Sequence, residues 1–300
     1  MASVTNTGIT ISTTDSLSSG QKIFIAAAKE AYEPAAPDPD LISSERMPSG
    51  HKQWDILTYA RLSDATALTE GVDMTTVQQL YANYLSINPT EHGVIVTLSK
   101  RAITRQPDSL ERQAGSQMGV SMRARQAKDV IALYDGFSKS VGGAGTTLDI
   151  THFRGAVAYL LTDNDSEFGP APMPLRMAAH SEMISDLILD LTDAGSRVGG
   201  VEDGLSSELV QRWWRGADRA YGVQVFHSAY ITADATSNDA KGGLFAQEAL
   251  HMVLEGNDES TRETDESRRT TEYGLFKSWG EAERADPHGV EMLFDAEATV

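Results

Sequence analysis

Few residues of this chain combine the types and the spacing that metal binding or catalysis requires. Glu248 and His251 form one Glu-x-x-His pair, which on a helix would place a carboxylate and an imidazole on the same face. A di-metal helical bundle needs two such pairs and additional glutamates, and the chain contains no His-Glu-x-x-His motif. We therefore interpret the pair as structural and predict that the protein binds no metal ion.

Two further stretches match binding loops only in part. The sequence DNDSEFG (163–169) has acids at the first, third and fifth positions of a calcium loop, but Phe168 replaces the required glycine and Pro174 the closing glutamate. The sequence GGAG (142–145) lacks the third glycine of a dinucleotide-binding turn and the lysine of a phosphate-binding loop. We predict a solvated acidic turn, a flexible linker and no cofactor.

Nucleophilic catalysis also lacks a recognisable motif. The chain has no cysteine and no Gly-x-Ser-x-Gly turn, and its seven histidines are scattered. Spacing alone does not exclude a triad assembled from distant residues, so an α/β enzyme with a dispersed site is one alternative. Such an enzyme would form small oligomers and have a deep pocket with perturbed acids or histidines. The absence of motifs favours a protein that is not an enzyme.

Charge and composition limit the partners that the chain can bind. The sequence RWWRGADR (212–219) combines tryptophans with arginines, which can stack on nucleic-acid bases, but the net charge of −18 opposes general binding to phosphates. We therefore assign one of Trp213 and Trp214 to the core and the other to a contact surface. The longest early apolar run, at 23–28, is too short to cross a bilayer, and no secretory signal precedes it. We expect no membrane association.

One long helix is the clearest predicted element. It begins at Asp108, an N-cap with Glu111 completing a capping box, and reaches Phe137, with Gly136 as the stop signal. About 28 residues would make a rod of roughly 40 Å, longer than a compact domain usually contains. Apolar residues recur on one face at helical spacing: Leu110, Ala114, Met118, Met122, Ala127, Val130, Ile131 and Tyr134.

A long hairpin is predicted before this helix. Its first extended run is 54–62, and the segment 65–87 contains the turn signal Glu70-Gly71 followed by extended residues with loose alternation. A further run at 92–103 alternates apolar residues at period two. The middle of this hairpin is predicted to be polar, with few apolar residues. Such a hairpin cannot form its own core, and we expect it to need a neighbouring chain.

The remaining elements are mixed. Residues 1–50 form a polar arm with one short helix at 18–32, and further helices are predicted at 149–163 and 205–217. The other segments are a strand followed by a helix at 174–193, then strands at 221–231, 242–254, 260–285 and 289–296.

The order of these elements resembles that of the major capsid proteins of tailed bacteriophages, which have the HK97-like fold. The series comprises the arm, the hairpin with ALTEGVDM (67–74), the strand HGVIVTLSKRAI leading into the capped helix, the mixed lobe and the closing EYGLFKSWGEAERADPHGVEMLFDA. It covers nearly the whole chain. No single piece is specific, and the likeness depends on order, spacing and length together.

The resemblance implies an α+β, HK97-like capsid fold with four parts. These are an N-terminal arm (1–53), an extended E-loop hairpin (54–101), a P domain (102–139 and 243–285) whose long spine helix is 108–137, and an α/β A domain (140–242 and 286–300). It also implies inter-subunit contacts, which we assign to Glu70, Gly71, Val72, Arg123, Arg125, Trp213 and Trp214.

The function implied is self-assembly into hexamers and pentamers of an icosahedral head enclosing double-stranded DNA. Expected partners are the portal, a separate scaffolding protein, a decoration protein and DNA contacted non-specifically, in a virion assembled in the host cytoplasm. Some relatives form a Lys–Asn isopeptide bond from a hairpin lysine, but residues 53–99 contain no lysine, so we predict no such cross-link. An encapsulin-like compartment of the same fold is the first alternative, and another virion component, such as a tail or connector protein, is a further one.

Charge distribution suggests an orientation for the subunit. Residues 101–150 have seven lysines and arginines against five acids, whereas residues 251–300 have five against thirteen. We hypothesise that the helix block lines the inner face of the shell and that the acidic segment is more exposed outside or at interfaces.

Overall fold

The structure is a computed structural model that describes residues 36–48, 50–68, 70–71, 73–74, 77–105, 107–162, 168–197 and 223–297. Its elements in chain order are α1 (Asp38–Leu41), β1 (Ser43–Met47), β2 (Trp54–Tyr59), β3 (Ala82–Ile87), β4 (Thr90–Ser99), α2 (Lys100–Arg105), α3 (Pro107–Tyr134), β5 (Ser140–Gly142), α4 (Ile150–Leu161), β6 (Leu175–Ala179), α5 (Ser181–Arg197), β7 (Val223–His227), β8 (Asp239–Ala246), β9 (Leu250–Asp265), β10 (Thr270–Glu283) and β11 (Gly289–Asp295). The predicted helices at 18–32 and 205–217 and the acidic turn at 163–167 lie outside the described residues.

A four-stranded sheet has the order β1-β9-β10-β4. The long strand β10 pairs antiparallel with both β9 and β4, and β1 adds a parallel edge to β9. On β4, Val94, Val96 and Leu98 pack on the core while Ile95 is exposed, as period-two alternation requires. The strand predicted at 92–103 is therefore real, but it ends at Ser99, and residues Lys100–Arg105 are helical.

A five-stranded sheet has the order β5-β11-β8-β6-β7 and carries α4 and α5. Both helices match the predicted segments, and α4 begins where predicted because the Asp149 carboxylate accepts the backbone N–H of His152 at 2.7 Å. The predicted linker at 142–145 begins with Gly142, the last residue of β5. Gly142 has φ +97°, and a Cβ there would lie 2.2 Å from the Leu293 carbonyl, so the backbone packs too closely for any side chain.

The spine helix α3 joins the two sheets through one shared core. Its 28 residues span about 42 Å at ~1.5 Å per residue, and Met118, Met122, Val130 and Tyr134 are buried, which confirms the predicted apolar stripe. The helix begins one residue before Asp108 and ends at Tyr134, three residues before Phe137.

Glu111 makes a tertiary contact that the predicted capping box did not include. Its side chain is buried and accepts a hydrogen bond from the Tyr273 hydroxyl. A buried phenol needs an acceptor, and this requirement determines where the carboxylate points.

Candidate assembly surface

The strands β2 and β3 form a separate two-stranded antiparallel sheet, with Trp54 opposite Ile87 and Tyr59 opposite Ala82. A hairpin is present, and β3 lies in the extended residues predicted after the turn, whereas the run predicted at 92–103 lies outside the hairpin because β4 pairs with β10. We call the end of the hairpin where β2 begins and β3 ends its root. There, Ile56 and Ile87 pack with Met47 and Val253 in a small core of their own. The rest of the hairpin extends beyond this core.

The distal hairpin exposes large apolar side chains. Of the twelve such exposed residues in the described part of the chain, eight lie between positions 59 and 84, which corrects the interpretation of this middle segment as thinly apolar. Contiguous exposed apolar surface of this kind marks an interaction site in soluble proteins. The eight residues are Tyr59, Leu62, Leu68, Met74, Val77, Leu80, Tyr81 and Tyr84, and we call them the apolar hairpin surface.

The predicted turn lies within this surface. Glu70 and Gly71 are in a turn, and Gly71 adopts φ +81°, a conformation that glycine reaches without strain. Val72 lies outside the described residues. Exposed acids surround the turn at Asp64 and Asp73, so the tip combines apolar and acidic groups.

A contrasting basic surface lies where α2 leads into α3. Arg101, Arg105 and Arg112 are exposed there, while Lys100 forms an ion pair of 2.6 Å with Glu266 of the β9–β10 turn. These arginines belong to the block in which basic residues outnumber acids. We call the three arginines the helix-start arginines.

Arg123 lies inside the chain, against its predicted inter-subunit role. Its side chain is 6% exposed, Nε donates to the Ala36 carbonyl at 3.0 Å, and the guanidinium pairs with Asp40 of α1. The sequence pattern could not reveal this because the partners are more than eighty residues away.

Further buried contacts anchor α1. Asp38 accepts hydrogen bonds from Ser228 at 2.5 Å and Tyr134 at 3.1 Å. Burial raises the pKa of Asp38, although these hydrogen bonds oppose the rise. Arg176 donates to the Leu41 carbonyl at 2.5 Å. The segment that leads into β1 is therefore fixed to both the spine helix and the second sheet.

Arg125 is accessible, unlike Arg123. It forms an ion pair of 2.9 Å with Asp129, and its side chain is 59% exposed. Asp129 also accepts the indole N–H of Trp279 at 3.2 Å. Nearby, burial and the Asp129 charge raise the pKa of Glu281 to about 7. Trp213 and Trp214 lie outside the described residues, so their predicted contacts stay predictions.

The Glu-x-x-His pair does not form a ligand set. Glu248 is exposed in the turn before β9, whereas His251 is buried with Nδ1 at 2.6 Å from the Ser43 hydroxyl. Glu45 lies 3.8 Å from the other ring nitrogen, so serine, histidine and glutamate adjoin in an arrangement that the sequence did not indicate. The Ser43 hydroxyl lies 2.9 Å from the Leu250 carbonyl, to which it can donate, and the group links β1 to β9. Within the described residues, no three or more His, Asp or Glu side chains group as metal ligands would.

An open depression of about 400 Å³ lies between the end of the spine helix and the loop after β7. Its lining includes Ile131, Tyr230, Asp234 and Lys241 and no histidine. Lys241 pairs with Asp135, a contact that raises the lysine pKa. The depression is open to solvent, whereas the enzyme alternative requires a deep pocket.

None of the helices in the described ranges has the length and apolarity needed to cross a lipid bilayer. No family model matches the chain, and no curated protein is similar to it.

Solved structures are similar over most of the length. A structure of Mycobacterium phage Che8 matches 87% of this chain and 92% of its own, with TM-score 0.62 and 13% identity. The head structure of Helicobacter pylori bacteriophage KHP40 matches 87% of this chain and 91% of its own, with TM-score 0.64 and 11% identity. The capsid of an empty GTA particle covers 99% of this chain and 94% of its own, with TM-score 0.58 and 12% identity. The chain therefore has the α+β, HK97-like fold of phage capsids, as predicted.

Proposed function

We propose that the chain is the major capsid protein of a tailed bacteriophage, with a structural and not an enzymatic role in the virion. Copies assemble into hexamers and pentamers of an icosahedral head that encloses double-stranded DNA. The observation that carries this proposal is the apolar hairpin surface on a chain with a capsid fold. A two-stranded sheet is marginal by itself and needs a packing partner, and a second copy supplies one.

The four-part division follows with one refinement. Residues 1–53 are the arm, 102–139 and 243–285 the P domain, and 140–242 and 286–300 the A domain. The E-loop hairpin, expected at 54–101, is better limited to 54–87, because β4 pairs with β10 along ten residues, Thr90 to Ser99. In this division β4 belongs to the P domain.

Charge complementarity supports a docking mode for the hairpin. Its tip exposes Asp64, Glu70 and Asp73, and the helix-start arginines are also exposed. Opposite charges set orientation and association rate at interfaces that apolar burial stabilises. We propose that the hairpin of one copy lies on the helix-start arginines of the next, in an interface of roughly 2,000 Å² or more.

Other contacts extend this assembly. Val72, Arg125, Trp213 and Trp214 remain proposed inter-subunit contacts, whereas the burial of Arg123 removes it from the set. The portal, a separate scaffolding protein and a decoration protein are proposed partners. The packaged DNA would be contacted non-specifically by the inner face, to which we assign the basic helix block, and assembly would take place in the host cytoplasm.

Electron microscopy of the purified protein tests the proposal with a matched pair of variants. Leu80 is 61% exposed on the hairpin and Leu161 is 43% exposed at the end of α4. We expect Leu80→Asn to abolish closed shells and Leu161→Asn to leave them intact, since only the first lies on the proposed interface. Wild-type protein that remains a monomer, or Leu80→Asn shells as abundant as the wild type, would contradict the proposal.

The contents of particles separate the alternatives. A phage head contains DNA, whereas an encapsulin-like compartment contains cargo protein. Small soluble oligomers without shells would favour the enzyme alternative, and open rings or tubes would indicate a tail or connector component.

A further inference from the structure

The root of the β2–β3 hairpin contains a buried imidazole with one ring nitrogen that lacks a hydrogen-bond partner. His251 is 6% exposed, and its Nδ1 lies 2.6 Å from the Ser43 hydroxyl oxygen. The single hydroxyl hydrogen of Ser43 can be donated to the Leu250 carbonyl at 2.9 Å. Nδ1 then carries the hydrogen of the neutral ring, and Nε2 presents a lone pair to a buried site where no donor from the described residues meets it.

The nearest charged group to this nitrogen belongs to the strand that precedes the hairpin. Glu45 Oε2 lies 3.8 Å from His251 Nε2, and the same oxygen accepts the Trp54 indole N–H at 3.2 Å. Trp54 is the first residue of β2, so this oxygen connects the hairpin to the arm strand β1. Glu45 is about half exposed, which leaves its carboxylate free to move between the two donors.

Few other charges act on the ring. Arg284, in the segment after β10, opposes protonation, and Glu45 favours it. On the side of β2 the neighbour is the uncharged Trp54, with the His51 ring edge-on to it at 6.4 Å.

We propose that these three side chains form an acid-sensitive switch, in which protonation of His251 draws the Glu45 carboxylate away from Trp54 and loosens the root of the hairpin. An imidazolium N–H forms a stronger hydrogen bond with a carboxylate than a neutral indole does. Because the oxygen that accepts from Trp54 lies 3.8 Å from Nε2, the carboxylate must move to bond the imidazolium, and this movement lengthens its contact with Trp54.

The neutral ring is the form that the folded root favours. Burial first, and then Arg284, hold the pKa of His251 below its ordinary value, while Glu45 opposes this shift. A lowered pKa means that the folded state binds fewer protons than the unfolded state, so the stability of the root falls as the pH drops through the ordinary imidazole range. The consequence for shell assembly rests on the proposed function, but the switch itself is a property of one chain.

Hydrogen–deuterium exchange of the unassembled full-length chain tests the switch. Peptides covering β2 and β3 would be compared at about pH 7.5 and about pH 5.5, on either side of the ordinary imidazole pKa, with labelling times scaled for the intrinsic exchange rate. We expect exchange in β2, corrected in this way, to be about fivefold faster at the lower pH, the factor that corresponds to losing one ordinary hydrogen bond.

Two variants test this response: Glu45→Gln should reduce it, because burial and Arg284 still act on His251, and His251→Gln should remove it. Glu45→Gln keeps an acceptor for Trp54 but has no charge for the imidazolium to attract, and its half-exposed position protects the fold. His251→Gln removes the titrating ring, and His227→Gln, an exposed histidine on β7, is the matched control that should respond as the wild type. Acid-induced exchange that is as fast in Glu45→Gln as in the wild type, or is absent from the wild type, would overturn the switch and leave the capsid proposal intact.

Discussion

The chain contains two antiparallel hairpins whose partners differ. The β9–β10 hairpin is bordered by β1 and β4 and packs on the spine helix, so its apolar residues, including Tyr273 and Trp279, are buried within one chain. Where it extends beyond β1 it exposes charged residues such as Asp258 and Glu263, which protect a free edge from pairing with other chains. The β2–β3 hairpin has no bordering strand and exposes aromatic and aliphatic residues.

The difference indicates which hairpin serves the monomer and which serves the assembly. Burying an apolar side chain contributes about 1.5–3 kcal/mol relative to leaving it exposed. The β9–β10 hairpin gains this energy on folding, whereas the β2–β3 hairpin can gain it only on association. Substitutions in the first should therefore affect unfolding, and substitutions in the second should affect assembly.

The largest expected effect on unfolding comes from Trp279→Ala. The side chain is 1% exposed, stacks on His92 with ring centroids 4.0 Å apart, and donates to Asp129. Truncation of such a residue should lower the free energy of unfolding by about 3–5 kcal/mol, measured by urea denaturation of unassembled subunits. Tyr84→Ala on the other hairpin, where the ring is 70% exposed, should cost less than about 0.5 kcal/mol and yet block assembly. Equal losses in the two variants would remove the distinction between the hairpins.

A second comparison uses two arginines of the spine helix that are two residues apart. Arg123→Met removes buried hydrogen bonds to Ala36 and Asp40 and should lower the free energy of unfolding by about 2 kcal/mol. Arg125→Met removes an exposed pair and should cost about 0.5 kcal/mol or less. Thermal or urea unfolding measures both. An Arg125 variant that is as unstable as the Arg123 variant would show that exposure does not separate their roles.

A smaller, pH-dependent effect is expected at the end of β10. The pKa of Glu281 is raised from 4.5 to about 7 by burial and by Asp129, so the folded state binds more protons and loses stability as the pH rises through this range. The full pKa shift corresponds to about 3 kcal/mol in the free energy of unfolding. Solvent screening of this partly exposed group reduces that contribution to about 1 kcal/mol. Glu281→Gln should therefore stabilise the subunit by about 1 kcal/mol at about pH 8 and have little effect at about pH 5, as urea denaturation at each pH would measure.

The exposed Glu255, on β9, provides the control for this measurement. Glu255→Gln should change the free energy of unfolding by less than about 0.5 kcal/mol at both pH values. A Glu281→Gln variant with the same pH dependence as the wild type would contradict the assignment.

Local sequence signals predicted the spine helix and β4. They did not predict contacts with residues that lie far away in the sequence. The spine helix followed from helical spacing of Met118, Met122 and Val130, and β4 from strict alternation at Val94, Val96 and Leu98. The partner of β4 could not be inferred, because alternation shows that a strand has one buried face but not which strand lies beside it. The same limit explains Arg123, whose acceptors lie in a segment with no periodic pattern.

The candidate surface was predictable in outline only. The turn at Glu70-Gly71 and the need for a neighbour came from composition and turn chemistry. The apolar hairpin surface was missed because Leu68, Met74 and Val77 follow neither helical nor strand periodicity. Residues selected for contact with another chain need not obey the periodicity of their own chain, so an aperiodic apolar segment between two strands was the available signal.

The smallest expected effect concerns covalent bonds between copies. If burial on a neighbour is what stabilises the β2–β3 hairpin, no cross-link is required, and residues 53–99 offer no lysine to form one. Lys52 precedes β2 and is exposed, and Lys100 is already paired with Glu266 at 2.6 Å. Denaturing gel electrophoresis of mature particles should show a single band for the wild type and for Lys52→Arg alike. A ladder of covalent oligomers that disappears in Lys52→Arg would show that the hairpin root is chemically fixed to a neighbour, and apolar burial would then no longer explain how the two hairpins differ.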